Sequence, residues 1–141
     1  MNEVFSQTYE IRGNDFQNAG KVSTDIKTLL KQLGIRPEII RKVAIACYEA
    51  EMNIVMYAKI GTMRMDIDTE KIKITVSDQG PGIADIELAM TEGYSTATQE
   101  MREMGFGAGM GLPNIKKNSD EFKIESTLGI GTKLEITIFI N

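Results

Sequence analysis

Residues 62–77 read TMRMDIDTEKIKITVS, a stretch in which apolar and polar side chains alternate in two successive runs. Successive side chains of a strand point to opposite faces of a sheet, so each run has one apolar face and one polar face. Thr69-Glu70 interrupts the alternation between the runs. The stretch therefore predicts a β-hairpin with one buried face.

Two helices are predicted before this hairpin, because apolar residues recur at intervals of three and four over 16–33 and over 37–61. Asn14 or Asp15 is the expected N-cap of the first helix, where a side-chain oxygen accepts backbone N–H bonds. A strand over 4–12 is expected before both helices.

The chain beyond the hairpin is rich in glycine. The turn over 78–82 ends the second strand, and residues 91–108 contain so few apolar side chains that they are predicted to form a mobile lid. A short helix over 111–118 and a second hairpin, with strands over 122–126 and 132–140, follow. This order of elements predicts an α/β (α+β) two-layer sandwich, with a mixed, mainly antiparallel sheet and three main helices on one face.

The composition is that of one ordinary globular domain. With 141 residues, of which 42% are apolar and 26% charged, the chain is expected to form a single domain over 1–141. A formal net charge of -4 argues against a sequence-independent nucleic-acid binder, which needs a basic surface. No apolar run approaches the roughly 20 residues of a membrane span, and the N-terminus lacks a signal-peptide pattern, so a cytoplasmic protein is expected.

The chain has no histidine and one cysteine, Cys47. A single cysteine cannot form an internal disulfide, and without histidine neither the common zinc sites nor a Ser/His/Asp triad can be assembled. No histidine is present to accept a phosphoryl group either. Because Cys47 lies among apolar neighbours in a helical pattern, it is interpreted as a buried, unreactive thiol.

Two candidate site elements surround the first hairpin. Glu49 and Asn53 lie one turn apart on the second predicted helix, so their side chains point to the same side, although this spacing alone is typical of helix surface residues. Asp78 ends the second strand, where Gly80 and Gly82 allow a ligand ring to approach the backbone. Its carboxylate can accept a hydrogen bond from an amino group such as that of adenine, but the same residues also suit an ordinary turn.

Two further elements are glycine-rich turns. Residues 105–112, GFGAGMGL, place glycine at every second position before a predicted helix, where backbone N–H groups can converge on phosphate oxygens. This is neither a P-loop, since no Gly-Lys-Ser/Thr follows, nor a dinucleotide fingerprint, since no apolar strand precedes it. A flexible linker is the alternative. Residues 129–132, GIGT, are by themselves an ordinary hairpin loop.

In this order, the motifs E-x-x-x-N, D-x-G-x-G, G-x-G-x-G-L and G-x-G-T resemble those of the GHKL (histidine kinase-like) ATPase superfamily, which has the Bergerat-type ATP-binding fold. The match spans residues 49–132. In its small size and its lack of histidine, the chain resembles the bacterial anti-sigma factor serine/threonine-protein kinases. Tyr57, where anti-sigma factors commonly have histidine, and residues 109–113, GMGLP, favour the switch-kinase branch of that family.

The resemblance implies a site for ATP or ADP with Mg²⁺, covered by an ATP lid at about 91–108. Asn53 would bind the metal ion, and Asp78 would bind the adenine amine. The other nucleotide-binding positions that the family implies are Gly80, Gly82, Gly107, Gly109, Gly111, Leu112 and Thr132. Glu49 would be the catalytic base, acting on a serine or threonine hydroxyl in a kinase or on water in an ATPase, and the sequence leaves both open.

The function that the resemblance implies is that of a regulatory serine/threonine-protein kinase, which phosphorylates a STAS-domain antagonist in a bacterial partner-switching pathway. One alternative is a nucleotide-gated anti-sigma factor or phosphatase-activating protein with little or no kinase activity. A third hypothesis is a scaffold that binds no nucleotide. The implied partners are a STAS-domain anti-anti-sigma or scaffold protein, a sigma factor or a phosphatase, and a second copy of the chain through its first strand and helix.

Overall fold

The computed structural model describes residues 5–83, 85–91 and 111–140. The predicted lid over 91–108 lies outside these ranges except for its first residue, and Gly107 and Gly109 lie outside them as well. The positions expected to hold the phosphates are Gly107, Gly109, Gly111 and Leu112. Of these, the structure therefore describes Gly111 and Leu112.

Within these ranges, five strands form one sheet. They are β1 (Phe5–Arg12), β2 (Ile60–Ile67), β3 (Lys71–Gln79), β4 (Glu121–Thr127) and β5 (Gly131–Phe139). Their order across the sheet is β1-β2-β3-β5-β4, and all four neighbouring pairs are antiparallel. Both predicted hairpins are confirmed. Because no parallel pair occurs among the described strands, the sheet is antiparallel rather than mixed.

The described residues form four α-helices beside the sheet. They are α1 (Lys21–Gln32), α2 (Pro37–Tyr57), α3 (Ile86–Ala89) and α4 (Gly111–Lys117). The longest, α2, contacts β1, β2, β3 and β5, while α1 and α4 pack against α2. The predicted α/β sandwich with three main helices is therefore confirmed. Within the described ranges, none of the helices has the length and apolar character that crossing a membrane requires.

The alternation in β2 and β3 decides which face of the sheet is covered. Met63, Met65 and Ile74 are fully buried under the helices, and each such burial contributes roughly 1.5–3 kcal/mol relative to an exposed side chain. The opposite face carries charged pairs, among them Lys73 and Glu135, whose Nζ and Oε1 atoms lie 3.7 Å apart. A slip of one residue would expose the apolar set to water, so the pattern fixes the strand register.

The start of α1 differs from the prediction. Residues 16–18 form a short 3₁₀ helix, and α1 begins only at Lys21, after Gly20 in the left-handed conformation with φ +94°. Neither predicted residue caps α1 through its side chain. The Asp15 carboxylate instead accepts hydrogen bonds of 3.0 Å from the side-chain amide of Asn18.

The cap of α1 comes from α2. Glu51 is buried, with 2% of its surface exposed. Its carboxylate accepts hydrogen bonds from the backbone N–H groups of Gly20, Val22 and Ser23, at 3.0, 3.2 and 2.9 Å. The N–H groups at a helix start have no partners within the helix, and a negative charge is favourable there. Glu51 therefore joins the start of α1 to the middle of α2.

Replacing Glu51 by alanine should lower the free energy of unfolding by about 2–4 kcal/mol, because one buried and two partly buried N–H groups would lose their acceptor. Urea denaturation of the nucleotide-free protein measures this change. Glu38→Ala is the matched control, since Glu38 lies in the first turn of the same helix but is exposed and pairs with Arg36 at 3.4 Å. We expect the control to lose about 0.5 kcal/mol or less. Equal losses in the two variants would contradict the capping role of Glu51.

Candidate functional site

The helix α2 directs its two central acidic residues to different neighbours. Glu49 and Asn53 are four residues apart, so their side chains leave the helix on the same side, and both are partly buried. Glu51 lies between them in sequence, about 200° around the helix from Glu49, and contacts the start of α1. The pairing of Glu49 with Asn53 on one side of α2 is as the E-x-x-x-N spacing predicted.

The first residue of α4 lies directly against this pair. A Cβ atom built on Gly111 would lie 3.3 Å from Asn53 Oδ1 and 3.5 Å from Glu49 Oε2. Because glycine has no such atom, no side chain of residue 111 fills the space beside both oxygens. The structure thus brings together three of the predicted site residues. Leu112, also a predicted site residue, packs against the hydrophobic core.

The same helix supplies a contact that the motifs did not indicate. The side-chain amide of Asn114 lies near the Glu49 carboxylate. Burial raises the pKa of Glu49, and hydrogen bonding to Asn114 opposes the rise because it favours the ionised form. The only signal in the sequence is the position of Asn114, three residues after Gly111 and hence on the same face of α4.

Asp78 lies at the end of β3, opposite Gly61 of β2. Its side chain is partly buried, and its Oδ1 atom accepts a hydrogen bond of 3.2 Å from the backbone N–H of Thr132. Burial raises the pKa of Asp78, while the hydrogen bond from Thr132 lowers it by a smaller amount. The carboxylate is therefore held through Oδ1, and its second oxygen accepts no hydrogen bond from the described residues.

Glycine is required where the loop after Asp78 meets the β4–β5 turn. A Cβ atom on Gly131 would lie 2.0 Å from the Asp78 carbonyl oxygen, and one on Gly82 would lie 2.4 Å from the carbonyl oxygen of Thr127. The backbone N–H of Gly129 also donates to the carbonyl of Pro81 at 2.9 Å. The turn that looked like an ordinary hairpin loop is thus part of the wall around Asp78.

Ser126 connects the same two segments, and its role was not predicted. Its hydroxyl accepts a hydrogen bond of 2.7 Å from the backbone N–H of Ile83 and lies 2.9 Å from the Thr132 hydroxyl. The Ser126 hydroxyl also lies 3.3 Å from the carbonyl oxygen of Gly131. Thr132 therefore contacts Asp78 through its backbone N–H, while its side chain contacts Ser126. A single serine in a charged strand gives no sequence signal of this kind.

The two groups of residues lie along one helix. A Cβ atom on Gly80, in the loop after Asp78, would lie 3.3 Å from Cα of Ala58, the C-cap of α2. Ala58 is about 7.5 Å along the helix axis from Asn53, at 1.5 Å per residue. Asp78 and its loop thus form one end of the site, and the Glu49/Asn53 pair with Gly111 forms the other. The described residues contain no group of three or more cysteine, aspartate or glutamate side chains placed to hold a metal ion.

Comparison with known proteins identifies the family of the chain. A family model described as the histidine kinase-like ATPase domain matches residues 14–138. The chain belongs to this family. The predicted superfamily is thus confirmed, and nucleotide use follows from membership.

Two relatives place the chain more finely within the histidine kinase-like ATPases. The chain is 33% identical over 113 residues to the serine/threonine-protein kinase RsbT of Bacillus subtilis, covering 77% of this chain and 79% of that kinase. It is 36% identical over 129 residues to the anti-sigma F factor of Caldanaerobacter subterraneus, covering 88% and 87%. It therefore belongs to the anti-sigma factor kinase group of the family, as predicted.

A third relative shares only the domain. The adaptive-response sensory kinase SasA of a Synechococcus species is 29% identical over 122 residues, which is 81% of this chain but 31% of that kinase.

Replacing Gly131 by alanine should lower the free energy of unfolding by about 1–3 kcal/mol more than the same change at Gly129, because the new methyl group would overlap the Asp78 carbonyl. Gly129 is the matched control: it lies in the same turn with φ +77°, and nothing lies within 4 Å of its Cβ position. Its replacement should cost about 1–2 kcal/mol for the left-handed conformation alone. Denaturant unfolding measures both losses, and a Gly131→Ala variant no less stable than the control would contradict the close packing.

Proposed function

We propose that this chain is an ATP-dependent regulatory serine/threonine-protein kinase that phosphorylates a STAS-domain protein in a bacterial partner-switching pathway. The single observation that carries this proposal is the meeting of Glu49, Asn53 and Gly111, in which the proposed base and the proposed metal ligand both face a residue without a side chain. The similarity to RsbT, a serine/threonine-protein kinase, supports the reaction type. The STAS-domain acceptor comes from the resemblance of the motifs to switch kinases.

Asp78 would recognise the base of the nucleotide. Its carboxylate would accept a hydrogen bond from the adenine amine while the Thr132 N–H keeps it in place. Gly80 and Gly82 would leave room for the ring. At the other end, Gly111 and Leu112, with Gly107 and Gly109, would hold the phosphates.

The residues present fit a magnesium ion. Mg²⁺ prefers oxygen ligands and usually keeps several waters, so one amide oxygen together with phosphate oxygens can suffice. Asn53 offers Oδ1 beside the space left open at Gly111. When bound, the ion would neutralise charge on the phosphates during transfer.

Glu49 would act as the base. The carboxylate would accept the proton of a serine or threonine hydroxyl as its oxygen forms a bond to the γ-phosphorus. The bond between that phosphorus and the β–γ bridging oxygen would break, and ADP would leave with the electron pair. Burial raises the pKa of Glu49 towards the operating range of a base, and such transfer depends mainly on positioning and charge neutralisation.

A second function is favoured by the similarity to an anti-sigma F factor. In this alternative the chain would bind a sigma factor, or activate a phosphatase, under control of the bound nucleotide and with little or no kinase activity. Dimerisation with a second copy of the chain through β1 and α1 stays a prediction for either function. The cytoplasmic location also stays a prediction.

Incubation with Mg-ATP and a STAS-domain protein encoded beside this chain should yield phosphoserine or phosphothreonine, which mass spectrometry detects. Glu49→Gln should reduce the transfer rate about 10²- to 10⁴-fold because the base is removed. The affinity for ADP, measured by calorimetry, should change little. Asn53→Ala should lose Mg²⁺-dependent nucleotide binding. Glu38→Gln, an exposed change on the same helix, is the control for both.

The outcome of this assay separates the two functions. A wild-type protein that binds ADP but transfers no phosphate to any STAS-domain neighbour would contradict the kinase. A stable ATP-dependent complex with a sigma factor, retained in Glu49→Gln and lost in Asn53→Ala, would then support the alternative.

Asp78→Asn should weaken ADP binding about 10- to 100-fold and yet stabilise the nucleotide-free protein. Burial raises the folded-state pKa of Asp78, so the folded protein holds more protons than the unfolded chain between the two values, and stability falls as pH rises through that window. Asparagine does not ionise, so the variant avoids this loss of stability at pH 7 and its Tm should rise. Asp25→Asn, an exposed change on α1, should alter neither quantity. A lower Tm with unchanged ADP affinity would contradict the assignment of Asp78.

A further inference from the structure

One serine hydroxyl joins the end of β4 to the loop after β3. Ser126 lies on the core-facing side of β4, two residues after Ile124, which packs against the hydrophobic core. Its Oγ atom accepts a hydrogen bond of 2.7 Å from the backbone N–H of Ile83 and lies 2.9 Å from the Thr132 hydroxyl. The same hydroxyl therefore contacts the loop after β3 and the start of β5.

Ser126 and Asp78 hold the two ends of one peptide group. The backbone N–H of Thr132, the cross-strand partner of Ser126, donates to Asp78 Oδ1 at 3.2 Å. The carbonyl oxygen of Gly131 belongs to the same peptide group and lies 3.3 Å from the Ser126 hydroxyl. Because a peptide group is planar and rigid, a contact that restrains its carbonyl also restrains the direction of its N–H. The orientation of the Asp78 carboxylate therefore depends in part on Ser126.

A hydroxyl suits this position. It offers one donor and two acceptors, so it can accept from the Ile83 N–H and donate to Thr132 or Gly131 on the other side. Alanine at this position would remove that shared partner, whereas the backbone hydrogen bond from Gly129 to the Pro81 carbonyl would remain. Ser126 thus supplies a side-chain link between two segments that also meet through their backbones.

We propose that Ser126 is a positioning residue for recognition of the base, whose hydroxyl orients the Thr132 N–H and the loop after β3 so that Asp78 can accept from the 6-amino group of adenine. This inference rests on the proposed function, in which Asp78 binds that amine, and adds to it a residue outside the four motifs. Ser126 acts through Thr132 and Ile83.

The test pairs one change in the protein with one change in the ligand. Calorimetry measures the binding of ADP and of purine riboside diphosphate, which lacks only the 6-amino group, to the wild type and to Ser126→Ala. The variant should bind ADP about 3- to 10-fold more weakly, which corresponds to the loss of one hydrogen bond. Its affinity for purine riboside diphosphate should change less than about twofold, because this ligand has no amine for Asp78 to accept from. A residue that merely stabilises the fold would weaken both ligands by the same factor.

Amide hydrogen exchange, followed by NMR in the nucleotide-free protein, tests the link itself. In Ser126→Ala the amide hydrogens of Ile83 and Thr132 should exchange about threefold faster or more, because Ile83 loses its acceptor and the Thr132 peptide group loses a restraint.

Ser119→Ala is the matched control. Ser119 precedes the other end of β4, is also partly buried, and donates through its hydroxyl to the Ile115 carbonyl at 2.6 Å. Its replacement should change neither the affinity for the two ligands nor the exchange of the two amide hydrogens by more than about twofold.

Equal weakening of both ligands in Ser126→Ala, or an unchanged affinity for ADP, would overturn the positioning role of Ser126. Unchanged exchange of both amide hydrogens would overturn the link on which that role depends. A wild-type protein that binds ADP and purine riboside diphosphate equally tightly would instead contradict the assignment of Asp78 in the proposed function. The exchange rates would still decide whether Ser126 holds the two segments together.

Discussion

The angular period of α2 is the constraint on which the rest of the structure depends. Its apolar side chains cover the sheet, its buried Glu51 joins it to the backbone of α1, and its Glu49 and Asn53 meet the first residue of α4. The same helix is therefore a core element and one wall of the site. A shift of α2 by one residue would misplace all three sets of contacts at once. The helices α1 and α4 pack mainly on α2 rather than on the sheet.

The two carboxylates of the site lower the stability of the folded protein. Burial raises the pKa of both Glu49 and Asp78, so each carboxylate is less stable in the folded chain than in water, and the hydrogen bonds from Asn114 and Thr132 offset only part of that loss. The surrounding structure compensates through a dense core and through glycine turns that close around Asp78. A protein of this design is expected to gain stability when nucleotide binds, because the ligand supplies the missing partners.

Much of the fold was predictable because it follows from periodicity. The alternation in β2 and β3 identified the central hairpin, and the spacing of Glu49 and Asn53 placed both on one side of a helix. The predicted start of α1 was wrong because the helix is capped by Glu51. This residue lies 28 positions or more away in sequence from the N–H groups that donate to it. Asn114 and Ser126 escaped prediction for the same reason: each acts through tertiary contacts that no local pattern records.

The close fit of the β4–β5 turn against Asp78 has a consequence for how such sequences can diverge. Because Gly129 donates to Pro81 in the loop after β3 and Gly131 packs against Asp78, an insertion or deletion in the β4–β5 turn would move Asp78 itself. The β2–β3 turn lies at the opposite end of the sheet from Asp78. The Asp68 carboxylate, which accepts from two backbone N–H groups, and the Ile140 N–H, which donates to the Glu70 carbonyl at 2.8 Å, hold it. Among homologous chains with a working site, the β4–β5 turn should therefore keep a constant length, while a change in the length of the β2–β3 turn would leave Asp78 in place.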